Sequence, residues 1–347
     1  MTTLEIRCDP YDFLGPLARG EVDTELSFSF DHGPGWRSSP LGSGDVSEAS
    51  TSHLVTAAAH GIAFPRVAVP IFMARGMRHR CFYVPADSPL TTLAELAGRR
   101  VVTNSWFDTG NTWSRAALRE QGVDLASISW SAAPVVSGGP VKLADEQGRM
   151  PPVPFAAVED ADTILDVLAS GRADAALIPI APLEALASGT VRRLLPRYWE
   201  DERAYLDRTG MFPILHTLTV DRALVERDPD LPRKVFDALA ESQQRWQTRA
   251  LGRSGGPLWF LRSFEETIEI FGREWQYHGL QSPANRAALE GLVREMAAQG
   301  HIDTPIPIAG LYPAFDQQKH LFATGSLPSS GPGGPAMLHS PFAHEVR

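Results

Sequence analysis

Cysteine is nearly absent: Cys8 and Cys81 are the two in 347 residues. Both lie in apolar, strand-like segments where a reduced thiol behaves as a small hydrophobe, so neither a disulfide framework nor a CxxC-type metal site is expected. No run approaches the roughly 18 apolar residues that cross a bilayer, so no membrane insertion is expected. The first twenty residues carry Glu5 and no apolar run of secretory-signal length, which points to a cytoplasmic location. The histidines show no HxH or HExxH spacing. The glycine-containing stretches GRADA, GGP and GPGGP match neither GxxxxGKS/T nor GxGxxG. No metal and no cofactor is therefore expected. An excess of positive charge is also missing, since 32 Lys and Arg face 41 Asp and Glu for a net charge of −9. Phosphate backbones and anionic membranes should be repelled, and nucleic acid is not an expected partner. A local basic pocket can still hold an anion, because charge inside a cleft outweighs distant charge screened beyond about 10 Å.

What is present is an ordinary globular composition, 43% hydrophobic and 21% charged, in a chain longer than one core usually supports. Two lobes are the expected partition. Residues 4–8, 25–30, 45–49, 67–72, 81–84, 99–103, 173–180 and 211–220 read as strands. Between several of them lie helical stretches closed by glycine, such as residues 92–97 before Gly98 and 162–169 before Gly171. Repeated helix, glycine and buried strand predicts an α/β protein with parallel sheets, because parallel strands need crossover helices and are covered on both faces. Residues 32–44 and 132–154, rich in Gly and Pro, read as surface loops. Helices dominate from Pro232 onward, including residues 233–251 and 284–299.

Several side chains stand out against this pattern. Glu48 sits at the end of an apolar-flanked strand, where an unpartnered carboxylate is costly to bury. Pairing with an arginine would account for it, and so would a raised pKa that makes it an acid near neutral pH. Ser50 and Ser52 follow at a predicted helix start, either capping that helix or, with its free N–H groups, binding an anion. Arg78 and His79 belong to the basic cluster RGMRHR with Arg75 and Arg80. Strand alternation would put Arg78 and Arg80 on one face and His79 on the other, so at least one should miss a shared site. A guanidinium there suits bidentate capture of a carboxylate. Residues 99–120 form a strand–loop–helix unit in which Thr109, Gly110, Asn111 and Thr112 mark an open helix start, beyond the carboxyl end of a strand where open α/β sheets bind ligands. Trp106 is the favoured ring-stacking side chain, with Trp113 more readily read as core. His216 ends an apolar run and reads as a titratable group or a satisfied core histidine.

Together these segments resemble a known family. LAELAGRRV (residues 93–101) and VLASGRADAALI (167–178) are similar to the second-lobe opening and the later helix-to-strand passage of type II periplasmic-binding-like proteins. GDVSEASTSHL (44–54), the Arg78-His79 pair before CFYV, RTGMFPILHTLTV (208–220) and YHGLQSPANRAALE (277–290) narrow the likeness to the 4,5-dihydroxyphthalate decarboxylase family. The resemblance runs from about residue 4 to 313. It implies a two-lobed fold with a ligand cleft between lobes joined by two crossovers, at about residues 83–89 and 210–216. Lobe one would comprise residues 1–85 and 214–325, lobe two residues 86–213, and residues 326–347 have the composition of a disordered tail.

The resemblance further implies a cofactor-independent carboxy-lyase acting on a small hydroxylated aromatic carboxylate. Arg78 would anchor the retained carboxylate, Glu48 would donate the proton, and His79 or His216 would polarise a ring hydroxyl. A non-enzymatic carboxylate-binding protein of the transporter type is the alternative. IPIAPLEAL (178–186) departs from the more polar segment that relatives tend to carry there, which bears on substrate choice or on catalysis itself. Biosynthetic enzymes of the same fold that make pyrimidine precursors use a concentrated histidine or cysteine motif, which this chain lacks. The oligomeric state is not legible.

Overall fold

Buried runs in the strands set the architecture. In the chain's computed structural model, which describes residues 3–33, 39, 41–251, 260–272 and 276–316, the strands β1 (Thr3–Arg7), β2 (Ser27–Asp31), β3 (Val46–Ser50) and β4 (Arg66–Val69) come first. They are followed by β5 (Phe82–Pro85), β6 (Arg100–Thr103), β7 (Ser129–Ala132), β8 (Phe155–Ala157), β9 (Ala175–Leu177), β10 (Val191–Arg193) and β11 (His216–Asp221). All four residues of β4 and the first four of β3 are buried: β3 is a central strand, and β4 is covered on one face through Val69 and on the other through Ala68. The strands make two sheets, ordered β2-β1-β3-β11-β4 and β10-β5-β9-β6-β7-β8. The first is thus assembled from both ends of the chain and the second from its middle. The last predicted segment, residues 326–347, lies outside the described residues.

Neither sheet is purely parallel, contrary to expectation. β1 runs parallel to β2 and β3, and β6 parallel to β7 and β9, but β11 is antiparallel to β3 and β4, and β5 to β9 and β10. The reversed strands are the first that the chain forms on passing from one sheet to the other. β5 follows β4 through a 3-10 turn and β11 follows β10 through the helix Tyr198–Thr209, so neither is joined within its own sheet by the crossover unit that parallel pairing needs. β5 also corrects the lobe boundary at residue 85, because Phe82–Pro85 is hydrogen-bonded into the second sheet.

Apolar residues cover both faces of each sheet. On the first sheet, Ile6, Val46, Val69 and Val220 pack with Val235 and Leu239 of the helix Leu231–Leu251. On its other face the helix Pro283–Ala298 supplies Leu289, Leu292 and Met296, joined by Trp113 of the helix Thr109–Glu120. The second sheet is covered by Leu96, Val101 and Leu118 on one side and by Ile164, Val167 and Leu168 on the other. The predicted helix at 92–97 is only a 3-10 turn, Ala94–Leu96.

His278 ties the C-terminal helices to the first sheet's end, its Nδ1 accepting from the Phe72 N–H at 3.0 Å. Burial lowers its pKa to about 3. The folded protein therefore keeps it neutral while the unfolded chain protonates near pH 6.5. Its contribution is complete above pH 6.5 and lost as pH falls towards 3, because the unfolded state then binds more protons. Urea unfolding followed across that window should show stability dropping with acid, with a slope shallower by up to about one proton in His278→Gln.

Candidate active site

Strand pairing builds the first half of the site. Register places His216 opposite Ser50 and Leu218 opposite Glu48 at the ends of β11 and β3. His216 Nδ1 lies 2.5 Å from Glu48 Oε1, the Tyr11 hydroxyl donates to the same oxygen at 2.6 Å, and the Asp9 N–H donates to Oε2 at 3.0 Å. Glu48 is wholly buried. Both of its oxygens have hydrogen-bond partners, which answers why so polar a side chain is tolerated there. Tyr11 stays a donor, since burial and then the Glu48 charge push its pKa far above the usual phenol value. Its Nδ1 engaged by Glu48, His216 also lines the cavity described below.

The second half comes from the other sheet. Asp108 caps the helix Thr109–Glu120, its Oδ1 accepting from the Asn111 N–H at 2.7 Å. The helix thus begins three residues before the predicted Thr112, and Thr109 and Gly110 form its first turn. Across the gap, Ser50 and Ser52 precede and begin the helix Thr51–Ala59, yet Ser50 makes no side-chain capping bond. Instead Ser50 Oγ pairs with Thr109 Oγ1 at 2.9 Å, and the Ser52 N–H donates to Thr109 Oγ1 at 2.9 Å. Two helix starts are thereby stitched together, adding the positive ends of two backbone dipoles.

Arg78 lies beside this junction. It is 8% exposed, and its Nε and Nη2 have no hydrogen-bond partner among the described residues. A Cβ added at Gly110 would sit 2.9 Å from Arg78 Nη2, so the missing side chain is what admits the guanidinium. A buried cation with unmet donors is costly unless an anion completes it. Arg78, Ser50, Thr109, Gly110 and His216 line one cavity of about 340 Å³, joined by Lys142 and His53. Burial lowers the pKa of His53, favouring the neutral ring. Asp9 and Asp108 also line the cavity, but Asn111 engages both Asp108 oxygens. Pro179 and Ile180 add an apolar wall, which places the departing segment 178–186 at the cavity itself.

Other predicted site residues lie elsewhere. Glu48 is not among the residues that line the cavity; it stands behind His216. Ser52 is one layer back, its Oγ donating to the Phe107 carbonyl. Asn111 and Thr112 are wholly buried and hold the capped turn, Asn111 Nδ2 on the Ser105 carbonyl and Thr112 Oγ1 on the Asp108 carbonyl. His79 is a correction, for residues 79–81 form a 3-10 turn in which strand alternation does not apply. Its ring packs 5.4 Å from that of Tyr205, away from the cavity, and burial lowers its pKa. Arg80 is paired with Glu202 at 2.6 Å, and Arg75 bonds the Phe212 and Tyr277 carbonyls and Asn285.

Trp106 is the second correction. It is fully buried, its Nε1 donates to the Gln299 carbonyl, and the Arg115 guanidinium lies 3.9 Å from its ring centroid, so no face remains for a ligand. Trp106→Ala is expected to cost about 3–5 kcal/mol in urea unfolding, the effect of a large core deletion. Among the described residues no group of three or more His, Cys, Asp or Glu is placed to hold a metal ion, and no helix is long and apolar enough to cross a membrane.

Two mixed sheets of this order, joined by two crossovers with a cavity where they meet, define a periplasmic-binding-protein-like α/β fold. Among solved structures, the desulfurization enzyme DSZB, a C27S mutant in complex with biphenyl-2-sulfinic acid, superposes with a TM-score of 0.50 at 17% identity, covering 90% of this chain and 98% of that one. The periplasmic aliphatic sulphonate binding protein SsuA from Escherichia coli gives 0.48 at 15% identity, covering 89% and 91%. No family model matches the chain. In sequence it is 30% identical over 258 residues to a 4,5-dihydroxyphthalate decarboxylase of Comamonas testosteroni, spanning 71% of this chain and 76% of that protein. A 4,5-dihydroxyphthalate decarboxylase of Pseudomonas putida is 32% identical over 147 residues, spanning 40% and 53%. The chain belongs to the 4,5-dihydroxyphthalate decarboxylase family.

Proposed function

We propose that the protein is a cofactor-independent decarboxylase of a hydroxylated aromatic dicarboxylate such as 4,5-dihydroxyphthalate. The observation that carries this reading is the buried Arg78 guanidinium, with Nε and Nη2 unpartnered, beside a cavity that His216 also lines with Glu48 behind it. The first group asks for a carboxylate and the second moves a proton. Pro179, Ile180 and Leu215 supply apolar surface for a ring.

In this reading Arg78 and the Thr109–Gly110 turn hold the retained carboxylate. His216, as imidazolium steadied by Glu48, gives its Nε2 proton to the ring carbon bearing the other carboxylate. A hydroxyl para to that carbon supplies the electrons that offset the lost aromaticity, so no external electron sink is needed. The bond to the carboxylate then breaks, its electron pair restores the ring, and carbon dioxide leaves. One C–H bond replaces one C–C bond, and His216 regains a proton from solvent.

Incubation with 4,5-dihydroxyphthalate, followed by carbon dioxide measurement and mass spectrometry, tests it. Stoichiometric carbon dioxide and a product one carboxylate poorer are expected. Tight binding with the ligand recovered intact would reject catalysis and leave a carboxylate-binding protein.

A further inference from the structure

The cavity carries a second cation that the mechanism above does not use. Lys142 lies in the Gly- and Pro-rich stretch after β7, yet its backbone is fixed. Its N–H donates to the Asn104 carbonyl at 3.3 Å, and it bridges Ser105 as a parallel neighbour. Asn104 and Ser105 directly follow β6, so Lys142 is held at the carboxyl end of that strand, where ligands of open α/β sheets bind. Among the described residues its ammonium has one weak carboxylate partner, Glu146 at 3.4 Å, with both side chains nearly half exposed. Such a pair contributes little and yields easily to a better anion.

The two cations line the same cavity as the Thr109–Gly110 turn. Arg78 packs on Gly110, whereas Lys142 is fixed through its backbone to the residues that follow β6. One cavity thus carries a buried guanidinium and a half-exposed ammonium.

From this placement we infer that Lys142 is a specificity residue that recognises the second carboxylate of a dianionic aromatic substrate, while Arg78 holds the first. The inference rests on the proposed aromatic dicarboxylate site and deepens it. It fits the division of labour that decarboxylation needs. The retained group sits on the rigid bidentate fork, and the group that must lose its charge sits on a solvated point charge whose attraction is lost with little penalty.

The test compares phthalate with benzoate, ligands that differ by one carboxylate and carry no hydroxyl to react. Calorimetric binding to the whole protein should show phthalate held more tightly. Lys142→Met should weaken phthalate about fivefold and benzoate less than twofold, with Lys142→Arg restoring most of the difference. Because Lys142 is half exposed, the melting temperature serves as the folding control and should not move. Equal weakening of both ligands, no weakening of either, or a wild-type protein that does not prefer phthalate overturns the inference. If that preference is present and Lys142-dependent but 4,5-dihydroxyphthalate is never decarboxylated, the catalytic reading falls and the Lys142 assignment stands.

Discussion

His216→Asn should lower kcat on 4,5-dihydroxyphthalate by about a thousandfold while changing KM less than threefold, since general acid catalysis typically contributes 10²- to 10⁴-fold. The reason is positional. His216 meets the cavity on one side, and on the other its Nδ1 is held 2.5 Å from a carboxylate that is itself held by Tyr11 and the Asp9 backbone. Asparagine keeps a donor for Glu48 and so preserves the buried network, but it has no group to cycle a proton. Glu48→Gln separates the two roles. If Glu48 acted directly as the acid, its amide variant would be as inactive as His216→Asn. As a positioning residue it should cost less in kcat than His216→Asn does, because the imidazole that moves the proton is still there. Equal loss in the two variants would return the proton to Glu48, and full activity in His216→Asn would remove His216 from the chemistry.

How much of this was legible in the sequence follows the range of the interaction concerned. Glu48 and His216 could be singled out because a charged or titratable group inside an apolar strand needs a reason to be there. That each is the other's reason required β11 to return beside β3, a pairing across 168 residues. Gly110 and Thr109 were visible as a helix start from the strand–loop–helix pattern alone. Arg78 was visible as one of several arginines, but which one reaches the cavity depends on a 3-10 turn that no alternation rule describes. Trp106 looked available in a loop. The Gln299 carbonyl that accepts from its indole lies 193 residues downstream. Lys142 and His53 carry no sequence signal of their own, Lys142 because its stretch has no periodicity and is held by single bridges to Asn104 and Ser105. Tyr11 gave no sign either, because its role exists only through Glu48.

Arg78→Leu should weaken binding of 4,5-dihydroxyphthalate or phthalate by about a hundredfold, or about 3 kcal/mol, the value of a charge-assisted hydrogen bond pair. The same substitution should leave the melting temperature of the ligand-free protein unchanged or higher. These two expectations belong together. Nε and Nη2 of Arg78 are buried without partners among the described residues, so the ligand-free fold bears a desolvation cost that leucine removes. Arg80 provides the contrast, because its guanidinium closes on the buried Glu202 at 2.6 Å, and Arg80→Leu should destabilise the fold by stranding that carboxylate. Lysine at position 78 keeps the charge but not the fork, so Arg78→Lys should lose about tenfold in affinity. Gly110→Ala should move in the same direction, since its Cβ would stand 2.9 Å from Arg78 Nη2 and must displace the head group or the helix start. A marked fall in melting temperature for Arg78→Leu, with binding unchanged, would make Arg78 a structural residue like Arg80 and leave the cavity without its anchor.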